Sequence, residues 1–233
     1  MKKLVRTGFR IVATAILLAL SVALAATLVE VPVVIGSRRG AMALSGGFAA
    51  GLLLFGLVCR FSPAYVFGHE LTHLVVAKLF RRRTGRFRLS GSRGSVEIER
   101  PNIAITLAPY FVPFYAVAWL GLYGAFCLFA SREQTIPGLV HAGLGLAYAY
   151  HVVLTLYALR RGQADLAQYG PVLSLAVILA ANLLLLVLAA TVISGDWKLT
   201  AATFVTHLQL EWAVLRRVSL WILSARLAAP SAG

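Results

Sequence analysis

Acidic residues are scarce in this chain: eight among 233, beside 22 lysines and arginines, with charged residues only 13% of the total. A soluble domain carries about 25% charged residues, so a water-facing surface all round is excluded. Disorder is excluded too, because 60% of the residues are hydrophobic and disordered chains are poor in them. Cysteine is nearly absent. The two present, Cys59 and Cys127, lie in apolar runs, which leaves neither a disulfide framework nor a cysteine metal site. The net charge of +14 does not form a basic, aromatic-rich stripe of the kind that binds nucleic acid. Its lysines and arginines fall between the apolar runs, where they can anchor to lipid phosphates.

What the chain has is long apolar runs, at roughly 11–29, 42–58, 64–80, 103–130, 138–159 and 171–193. Each is near the ~20 residues that span a bilayer except the fourth, which is too long for one upright helix. The basic flank before the first run resembles a signal peptide, but the run is long enough to be a retained span. Gly47 and Gly51 are spaced for close helix packing. Pro109 and Pro113 predict a broken entry to the fourth run, tolerated in a membrane where protein or a water-filled cavity satisfies the freed backbone groups. The stretch 201–226 reads as an amphipathic surface helix. The expectation is an all-α, multi-pass integral membrane protein, residues 1–233 forming one domain of about six spans with a small β-hairpin after the third. The basic residues divide almost evenly between the two sets of loops and give no orientation. The short loops suggest a bacterial cytoplasmic membrane.

The third run contains Gly68-His69-Glu70-Leu71-Thr72-His73. Histidines at i and i+4 share a helical face, so both imidazoles can reach one metal ion. The glutamate between them lies beside that face and can take a proton from a water on the metal. Zinc suits imidazole and carboxylate ligands and brings the pKa of bound water to about 7. The structural alternative is polar helix packing. Three ionisable groups within five residues of one apolar run are costly without a function or partner, which favours a metal site.

With this motif the chain resembles the site-2 protease family of intramembrane zinc metalloproteases. The resemblance covers the core from about 60 to 190. It implies one Zn2+ per chain and cleavage of membrane-embedded or membrane-adjacent protein or peptide substrates among membrane lipids. It also implies a third ligand from an aspartate on a later segment, often within Asn-Pro…Leu-Asp-Gly. That motif is absent; Asp165 stands instead in Gly162-Gln163-Ala164-Asp165-Leu166. Glu133 lies in a short loop, while Asp196 and Glu211 follow the last long run. Asp165 is therefore the expected third ligand, or else a solvated cap before the sixth run. His151 and Thr155, one turn apart, are expected either behind the site or in ordinary interhelical hydrogen bonds. His141 and His207 read as interfacial, and Asn102 and Asn182 as interhelical hydrogen-bonding residues.

Residues 86–99 alternate in polarity around Gly91-Ser92-Arg93-Gly94. A four-residue turn would set Arg88 opposite Glu97, Arg86 opposite Glu99, Phe87 opposite Ile98 and Leu89 opposite Val96, one face ion-paired and the other apolar. The hairpin, whose apolar face carries Phe87, Leu89, Val96 and Ile98, is expected either to hold an extended substrate along a strand edge or to grip lipid headgroups. A non-catalytic metal-binding membrane protein or adaptor derived from such a protease is the alternative function, and lipid hydrolysis a further one.

Overall fold

The computed structural model describes residues 2–31, 38–58, 63–91, 93–129, 137–161 and 163–228. Cys59, Glu133 and Gly162 lie outside them. The elements are α1 (Lys2–Glu30), α2 (Arg38–Val58), α3 (Pro63–Leu79), β1 (Thr84–Ser90), β2 (Arg93–Ile98), α4 (Ile103–Leu107), a 3-10 turn (Ala108–Tyr110), α5 (Phe114–Phe129), α6 (Pro137–Arg161), α7 (Ala164–Tyr169), α8 (Pro171–Ser194) and α9 (Trp197–Ala228).

Among the described residues, four helices are long and apolar enough to cross a membrane: Val5–Glu30, Arg38–Leu57, Gly138–Arg161 and Pro171–Ser194. The fourth run is bent by 76° between Tyr110 and Phe114 and counts as a fifth if taken as one span. The break falls at the two prolines, as their missing N–H groups require. α3, the helix with the histidines, has 17 residues, short of the ~20 of an upright span, and α9 is not among the candidate spans.

The chain forms two compact units, Met1–Val34 with Leu179–Gly233, and Ile35–Ile178, so the boundary falls within α8. In the first unit, Asp196 caps α9 by accepting the Leu199 N–H at 2.9 Å. His207 on α9 faces Glu30 on α1 at 3.2 Å.

The second unit holds every feature expected near the histidines. α2 lies so close to α6 that a Cβ on Gly51 would come within 2.6 Å of the Ala149 Cβ, and one on Gly47 would meet the Ala142 backbone. Small residues thus allow the two backbones to approach, as their spacing predicts. A core of Leu107, Tyr110, Ala158, Leu166 and Ile178 joins the broken fourth run to α6, α7 and the start of α8.

The hairpin is present with a shifted register. Ser90 pairs with Arg93, Leu89 with Gly94, Arg88 with Ser95 and Phe87 with Val96, and an irregularity between Thr84 and Phe87 brings Thr84 opposite Ile98. The expected pairings Arg88–Glu97 and Leu89–Val96 are therefore displaced by two residues. Two residues separate the strands rather than four, and Gly91 takes the positive φ (58°) that a two-residue hairpin turn demands. A shift of two preserves the faces, so the apolar side survives, with Phe87 edge-on to Phe67 of α3 at 6.3 Å. The ion-paired face does not form as expected: Arg88 meets Ser95, and Glu97 accepts the Arg86 backbone N–H at 3.2 Å.

Candidate metal centre

α3 begins at Pro63, a residue suited to a first helical turn, and ends in a left-handed cap at Arg81 (φ 54°). Along it, His69 and His73 present their rings to each other with Nε2 atoms 3.3 Å apart. The outer nitrogens are occupied. His73 Nδ1 donates to the Ile105 carbonyl at 2.9 Å, and His69 Nδ1 lies 3.3 Å from the Tyr65 hydroxyl, one turn earlier. Both Nε2 atoms are thereby turned to the same point, the arrangement that backs metal-ligating imidazoles.

Asp165 comes to that point from α7. This helix has six residues, no side-chain cap at Gln163, and a break from α8 at Gly170 (φ 91°). Leu166 anchors it in the core, Ser174 Oγ donates to the Leu166 carbonyl at 3.0 Å, and the Tyr169 hydroxyl donates to the Pro101 carbonyl at 3.4 Å. So held, Asp165 places Oδ2 3.4 Å from His69 Nε2 and 3.6 Å from His73 Nε2. The three side chains are close enough to hold one metal ion. Asp165 sits in the first turn of α7, and its carboxylate is directed to the histidines rather than serving as a solvated cap. Burial raises its pKa, but hydrogen bonds from His69 and His73 outweigh this and hold it well below the ordinary carboxylate range.

The donor set, two imidazole nitrogens and one carboxylate oxygen 3.3–3.6 Å apart, suits a transition metal better than calcium or magnesium, which take oxygen ligands.

Glu70 lies beside the histidines and accepts a hydrogen bond from the Val96 backbone. With Tyr65, Val66, His69, Arg93, Gly94 and Gln163 it lines an open cavity of about 340 Å³. Gly94 has no room for a side chain, since a Cβ there would lie 2.6 Å from both Glu70 Cγ and Val66 Cγ1. Backbone groups of alternate strand residues point to opposite edges. With the Val96 N–H directed to Glu70, the backbones of Gly94 and Val96 belong to the edge of β2 that faces away from β1. Phe87, Val96 and Ile98 are half-buried and Leu89 is exposed.

A second cavity, of about 30 Å³, touches His69 from the other side and is lined by Thr72, Pro109, Tyr115, His151 and Thr155 among others. It has room for one or two waters. His151 and Thr155 line this cavity together with His69, and Pro109 places the broken run on its wall. Asn102 instead caps α4, accepting the Ile105 N–H at 2.9 Å, while Asn182 belongs to the other unit. Sequence reasoning missed Tyr65, Gly94, Ile105 and Tyr110. Tyr65 was within reach as the i−4 neighbour of His69; the others depend on contacts distant in the chain.

No family model, curated protein or solved structure matches the chain.

Proposed function

We propose that this protein is a membrane-embedded zinc metalloprotease of the site-2 protease type, cleaving membrane-embedded or membrane-adjacent segments of other proteins. The observation that carries the reading is the near-equilateral set of His69 Nε2, His73 Nε2 and Asp165 Oδ2, 3.3–3.6 Å apart, with a carboxylate on the residue next to the first ligand. Zinc held there supplies an acidified water at neutral pH and polarises a substrate carbonyl. Glu70 takes the proton released as water attacks and returns it to the leaving amine. The outer edge of β2 holds the substrate extended by backbone hydrogen bonds, exposing a peptide bond that a helix would shield. The 340 Å³ cavity between that edge and His69 accommodates the strand.

The test is zinc content per mole of detergent-purified protein, together with cleavage of a fluorescein-labelled unfolded protein and of single-span membrane reporters. Wild type and Glu70→Gln should each hold about one zinc, and His69→Ala and Asp165→Ala should hold little. Cleavage should occur in wild type alone. Folded wild type without a transition metal would refute the metal centre. Zinc retained with no cleavage above Glu70→Gln would refute the protease and leave a non-catalytic metal-binding membrane protein.

A further inference from the structure

The broken start of the fourth run touches all three ligands from one short stretch of chain. The Ile105 carbonyl accepts from His73 Nδ1 at 2.9 Å. The Tyr110 hydroxyl donates to Asp165 Oδ2 at 3.1 Å, and its ring stands edge-on to the His69 ring, 5.6 Å between centroids at 85°. Asn102 fixes the first turn of this stretch through the Ile105 N–H.

We propose that Tyr110 is a positioning residue of the metal centre, its hydroxyl fixing the rotation at which the Asp165 carboxylate presents an oxygen to the two Nε2 atoms. An aspartate's terminal torsion is broad, so the side chain alone does not hold the carboxylate at one angle. The oxygen close to both histidines is the one that takes the Tyr110 hydrogen bond. Among the described residues, Tyr110 and the two histidines are the only partners shown for Asp165. Tyr110 can hold this rotation because it is itself immobile: it is 1% exposed and packs in the same core cluster as Leu166, the neighbour of Asp165. One cluster therefore sets the distance between the hydroxyl and the carboxylate.

This inference rests on the metal-centre reading, and the experiment separates the two. Tyr110→Phe keeps the ring and its packing and removes only the hydroxyl. Zinc affinity is measured by chelator competition, and the cobalt-loaded protein by its visible ligand-field bands. Tyr169→Phe, which removes the other tyrosine hydroxyl bond of α7, is the comparison. Loss of an outer partner costs metal sites about 10–100-fold in affinity. That loss, with shifted cobalt bands, is expected for Tyr110→Phe, and a change within about twofold for Tyr169→Phe. Equal affinity and an unchanged spectrum in Tyr110→Phe would overturn the inference. So would equal weakening by both variants, which would signal general loosening of α7. Wild type that binds neither ion would instead defeat the metal centre itself.

Discussion

Replacing Gly94 with alanine should separate the metal from the chemistry. The new Cβ would stand 2.6 Å from Glu70 Cγ and Val66 Cγ1, and 3.2 Å from Glu70 Cδ. Carbon atoms rest at about 3.5–4.0 Å, so the contact must open by about 1 Å. β2 is held by its ladder to β1 and α3 by its own backbone, which leaves the Glu70 side chain to move. A displacement of about 1 Å at a reacting group costs on the order of 100-fold in rate, and the overpacking about 1–3 kcal/mol of stability. Neither His69, His73 nor Asp165 is among the atoms that the new methyl would meet most closely. The expected result is therefore about one zinc per chain with reporter cleavage reduced about 100-fold. Gly91→Ala is the control, because Gly91 has open space around it and a positive φ of 58°; it should cost about 1–2 kcal/mol through backbone strain and leave the rate near wild type. Gly94→Ala activity within threefold of wild type, or loss of its zinc, would refute the placement of Glu70 against β2.

Asp165 is held well below the ordinary carboxylate range, so its proton should not compete with the ion in mild acid. Asp165→Asn should therefore weaken zinc binding without changing how steeply the affinity falls with pH, and a shallower fall in the variant would contradict the ionised carboxylate. Gly47→Ala should lower the thermal stability of the detergent-solubilised protein by about 1–3 kcal/mol, because its Cβ meets the Ala142 backbone. Gly56→Ala, with nothing nearby, should be neutral or stabilising by up to about 1 kcal/mol; equal melting of the two variants would argue against close α2–α6 packing. Asn102→Ala should cost about 1 kcal/mol through the lost cap, read by the same unfolding measurement.

What could be read from the residues was what is local. The i, i+4 spacing of His69 and His73 is a property of one helix, and the alternation of 86–99 is a property of two adjacent strands. The small residues Gly47 and Gly51 announced a close contact without naming its partner. The hairpin register escaped because the turn segment contains two glycines, each able to end a strand. The choice depends on Gly94 lying against Glu70, a contact between elements. Asp165 could be named as a candidate, but its arrival at the histidines depends on the short α7 and the turn of the chain at Gly170. Tyr110 was invisible as a partner because its hydrogen bond crosses 55 residues of sequence and leaves no periodic mark. The count of about six spans came from runs of apolar residues; α3 has 17 residues, and the fourth run is broken into helices of 5 and 16.

The distance along the chain between His73 and Asp165 also bears on how the protein is made. About 90 residues separate them, and at 5–20 residues per second a ribosome needs roughly 5–20 s to cover that stretch. Throughout that interval the nascent chain carries two histidines and Glu70 without the carboxylate that completes the triangle. Tyr110 is synthesised partway through, so Asp165 is the last of these groups to be made. Any activity of this centre consequently begins only after most of the chain has left the ribosome.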